Sequence, residues 1–140
     1  MTDTREQVDE HVVLSVNDPV QRPTGLDESI SPTAAIAAAA AWIVFVSLSF
    51  AVQPPPDPAA PPSAMAEVLS LLFTGSMLGA IAGLGARHRW GLLASIGGGL
   101  VMIVASISCY VGGHTGAWIA VQLAAGVGLT VTSLGLLRGS

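Results

Sequence analysis

Five residues, Ala86-Arg87-His88-Arg89-Trp90, separate two long apolar runs at 65–85 and 91–113. Each run is long enough to cross a bilayer, since about 20 residues at ~1.5 Å rise cover a hydrocarbon core of ~30 Å. Residues 33–52 form a further run without a charge, and 116–137 another. Backbone groups in hydrocarbon have no water to bond, so runs of this kind must satisfy themselves as helices. The expected fold is therefore an all-α integral membrane protein: four transmembrane helices in a compact antiparallel bundle, with spans at about 33–52, 64–85, 90–112 and 116–137 of a membrane domain covering 32–138.

Composition supports this class. Charged residues make up 10% of the chain and hydrophobic residues 51%, against about 25% charged in an ordinary soluble domain. Seven of the nine acids (Asp3, Glu6, Asp9, Glu10, Asp18, Asp27 and Glu28) fall in a polar segment, 1–31, with only Arg5 and Arg22 against them. An acidic tail of this kind is not expected to bind nucleic acid or anionic lipid. Val12, Val13, Leu14 and Val16 make it briefly strand-prone before the turn signal Asn17-Asp18-Pro19. The tail reads as cytoplasmic, either without fixed structure or as a short docking peptide. The absence of lysine excludes Schiff-base chemistry and a phosphate-binding P-loop. It also points to a GC-rich bacterial genome, and so to the cell inner membrane. The single cysteine, Cys109, excludes an internal disulfide.

The span boundaries carry their own signals. Ser31-Pro32 opens the first helix with a capping hydroxyl and a proline whose missing N–H costs nothing there. Residues 53–62 read QPPPDPAAPP, an extended spacer that no helix or sheet tolerates. Ser63 caps the second helix, and Glu67 in its first turn suits the helix dipole. Gly113-His114-Thr115 is a tight turn before the fourth span. With four spans, Arg5, Arg22, Arg87, Arg89 and Arg138 all fall on one side, which is every positive residue. Positive residues favour the cytoplasm, so both termini are expected inside a multi-pass plasma-membrane protein, with the topology locked by Arg87, Arg89 and Arg138.

Small residues recur four apart: Gly75, Gly79 and Gly83 in span two, Gly91, Ser95 and Gly99 in span three, and Gly116, Ala120, Ala124, Gly128 and Thr132 in span four. Such stripes let neighbouring backbones approach closely, which matters because lipid gives no hydrophobic reward for helix contact. They serve packing within one subunit, or a seam with a second copy or another protein. Span one, bulky from Trp42 to Phe50, reads as facing lipid or a partner outside a core of spans two to four.

No ionisable residue lies deep in a span, where one would mark a site by default. The polar residues toward the end opposite the arginines are Glu67, Tyr110, His114 and Gln122, the one functional cluster the sequence offers. Gln122 is expected to bond to Ser106, Ser108 or Tyr110, or to a backbone carbonyl. Imidazole is the side chain that ordinarily changes charge near neutral pH, so His114 is the proton-handling candidate, with Glu67 as acceptor. Met65, Cys109 and His114 are soft donors at that end without ligand-like spacing, and His88 and His114 are too far apart for a bis-histidine haem. No metal, cofactor or catalytic residue is expected. Small multidrug exporters are similar in outline, but they depend on a carboxylate in the first span, and none is present here. The expectation is a non-catalytic accessory, assembly or stabilising subunit of a larger respiratory or transport complex. Alternatives are a homo-oligomeric transporter or channel with Glu67 at its mouth, and a holin-like pore.

Overall fold

A computed structural model describes residues 25, 28–55 and 63–139. The strand-prone run at 12–16, its following turn and most of the proline-rich spacer lie outside the described residues. Four helices follow one another: α1 (Pro32–Val52), α2 (Ala64–Gly85), α3 (Arg89–Val111) and α4 (Ala117–Gly139). All four are long and apolar enough to cross a membrane and pack against one another, which makes the chain a multi-pass membrane protein. The start signals operate as expected. Ser31 Oγ accepts from the Ala34 N–H at 3.2 Å with Pro32 behind it, and Ser63 Oγ accepts from the Ala66 N–H at 3.2 Å. Each hydroxyl satisfies an N–H that the first turn leaves without a partner.

The helix ends use backbone motifs. At the end of α2 the His88 N–H reaches Gly83 O (2.8 Å) and the Arg87 N–H reaches Leu84 O (3.1 Å), the paired bonds of a Schellman cap. That motif needs a left-handed residue, usually glycine, but here Arg87 occupies it at φ 58°. The end of α3 repeats the motif with glycine in place: Gly113 takes φ 85°, and His114 N–H bonds to Cys109 O at 3.1 Å.

The Arg87–Arg89 turn also anchors the segment that leads into α1. The Ile30 N–H donates to Arg87 O at 2.7 Å, and the Arg89 N–H donates to Glu28 O at 3.2 Å. Together they make an antiparallel bridge between Ser29 and His88. The Arg89 guanidinium pairs with the Glu28 carboxylate above it. Ile30 is thereby pressed into the core at 3% exposure, in one cluster with Leu84, Leu92 and Leu129.

Close backbone approach sets the packing. Gly83 of α2 lies against Gly91 of α3, where a methyl on either residue would sit within about 2.6 Å of the other helix's backbone. Gly99 of α3 meets Gly126 of α4 in the same way. Span one corrects its expected place outside the core. α1 packs chiefly on α4, buries Ala34, Ala35, Ala38 and Trp42, and lays the Phe45 ring on Gly128. Its outward face is Ile36, Ile43, Val44, Leu48 and Phe50, all exposed. Trp42 covers Gly98 of α3 and donates its indole N–H to Ser95 Oγ at 2.8 Å, and Ser95 Oγ donates in turn to Gly91 O at 2.8 Å. Without water to serve that N–H, the bond gives the ring one orientation. By contrast α1 barely touches α2, and this leaves a lateral seam between them.

The small-residue stripes divide. Gly79, Gly83, Gly91, Ser95, Gly99 and Gly128 sit at helix contacts. Gly75, Ala120 and Ala124 are exposed, and Gly116 (φ 145°) precedes α4 rather than belonging to it. The face of α4 that is buried runs through Ile119, Ala125, Gly126, Leu129 and Ser133 instead. A four-residue step overshoots a full turn by about 40° at 3.6 residues per turn. A stripe sustained over four such steps therefore winds away from any one neighbour.

Candidate functional site

At the end away from the arginine turn, the seam widens into a cleft of about 670 Å³ bordered by all four helices. Its floor is apolar, from Val46, Leu69, Phe73, Val101 and Met102. Its polar rim comes from Ser49 and Ser108 in the last turns of α1 and α3, the cap residues Gln53 and Ser63, His114 in the α3–α4 turn and Gln122 in the second turn of α4. Nearer the arginine turn the same seam forms a second, almost wholly apolar hollow of about 590 Å³ between Ala35, Ile36, Trp42, Met77 and Leu84. Both volumes lie in the range of small-molecule sites.

Local structure holds several of these groups in place. His114 is the residue after the left-handed Gly113, so the cap that ends α3 fixes its backbone, and its Nδ1 lies 3.2 Å from Cys109 O. Ser63 Oγ is committed to capping α2. Two sealed helical hydroxyls, Ser49 and Ser133, lack the partner that others find. Thr74, Ser106 and Thr130 each turn back to the carbonyl four residues earlier, the usual solution in an apolar environment. Ser49 Oγ is sealed from solvent and has no hydrogen-bond partner.

The four residues expected to form a polar cluster separate. His114 and Gln122 share the cleft. Tyr110 is 71% exposed on the outside of α3. Glu67, exposed in the first turn of α2, is not among the cleft residues. Of the three expected side-chain partners of Gln122, Ser106 bonds back to Met102 O and Tyr110 faces outward, which leaves Ser108 as the one that borders the same space. The rim residues Ser49 and Gln53 were not picked out from the sequence. Their shared signal is depth, since each lies within one turn of the same end of its helix. Met65, Cys109 and His114 all border the cleft, but among the described residues no three His, Cys, Asp or Glu side chains come within reach of one metal ion.

Among the described residues the cleft is lined by no carboxylate, lysine or arginine. It offers hydroxyls, amides, the Cys109 thiol and one imidazole above an apolar floor. Comparison with known protein families, curated proteins and solved structures found no match.

Proposed function

We propose that the chain is a non-catalytic membrane subunit that works by seating against another membrane protein, in an accessory or stabilising role within a larger respiratory or transport complex of a bacterial inner membrane. The observation that carries this reading is the outward face of α2. Leu71, Gly75, Leu78, Ala82 and Gly85 fall on one stripe, and all are exposed. A side chain at Gly75 would meet nothing within 4 Å. Glycine in a helix costs about 1 kcal/mol relative to alanine, so an exposed glycine with no internal contact is best explained by a neighbouring helix approaching closely. Ala120 and Ala124 on α4 offer a second smooth outward surface. In this reading the bundle is antiparallel with both termini cytoplasmic, as the one-sided arginines favour. Glu67, outside the cleft, gives the transporter reading no support.

Purification in mild detergent tests the proposal. Other membrane subunits should accompany the wild-type chain and be lost from Gly75→Leu, while the variant keeps the thermal stability of the isolated chain. A chain that migrates alone overturns the proposal, and one that migrates only with copies of itself favours the homo-oligomeric alternative.

A further inference from the structure

We draw no further inference here: the strongest candidate, the lateral seam between α1 and α2 with its cleft at the His114 end, carries none because nothing in the structure shows what covers it.

Discussion

Gly83 and Gly91 show how much one hydrogen atom in place of a methyl decides in this protein. Their backbones are in contact across α2 and α3, and a Cβ on Gly91 would lie 2.5 Å from Leu84 N. Neither backbone can yield without moving its helix. Gly91→Ala should therefore destabilise the bundle by about 1–3 kcal/mol, the usual cost of overpacking. Gly135→Ala meets nothing within 4 Å and should be neutral, or stabilising by up to about 1 kcal/mol through helix propensity. Thermal unfolding in detergent separates the two, and equal effects would show that close approach is not what holds α2 to α3. The four-apart stripes made Gly83 and Gly91 readable in the sequence as contact residues. Gly98 and Gly126 were not readable in that way. They matter because Trp42 and Gly99 lie opposite them, and which residue stands opposite is a property of the assembled pair of helices.

At the scale of elements, the Arg87–Arg89 turn does more than separate α2 from α3. Its carbonyl at Arg87 and its N–H at Arg89 hold the strand-like entry to α1, and the left-handed Arg87 is the conformational cost of placing that carbonyl. Two interactions secure the entry, and they should differ in weight. The Glu28–Arg89 pair is partly exposed, with side chains 53% and 27% accessible, and exposed ion pairs contribute about 0–1 kcal/mol. Ile30 is buried, and truncating such a side chain to alanine costs about 2 kcal/mol or more. Ile30→Ala should lower the melting temperature in detergent clearly and Glu28→Gln barely; the opposite order would make the ion pair the anchor. Ser31, Pro32 and Ser63 announced the helix starts because caps are local chemistry. The docking of Glu28–Ile30 on a turn some sixty residues away carries no local mark. The turn's positive charges invited a reading as topology alone.

For the whole molecule, the arginines and the long apolar runs predict sidedness. In a chain with Cys109→Ser, a cysteine placed at Thr115 should react with a membrane-impermeant maleimide on intact cells. One placed at Gly139 should react only after permeabilisation. The reverse pattern would overturn the topology with both termini inside. The sequence by itself determined the number of helices, their limits to within a residue or two and their membrane class. Those follow from bilayer thickness and from the need of a backbone in hydrocarbon to bond to itself, both of which act on each segment separately. Only the tertiary structure decided that α1 belongs to the core, that α1 and α2 stand apart, and that His114 and Gln122 share a cleft while Glu67 and Tyr110 do not. Helices in lipid attract one another through shape rather than hydrophobicity. A helix that is apolar all round can turn any face to its neighbours, so the choice of face is made between helices and not within one.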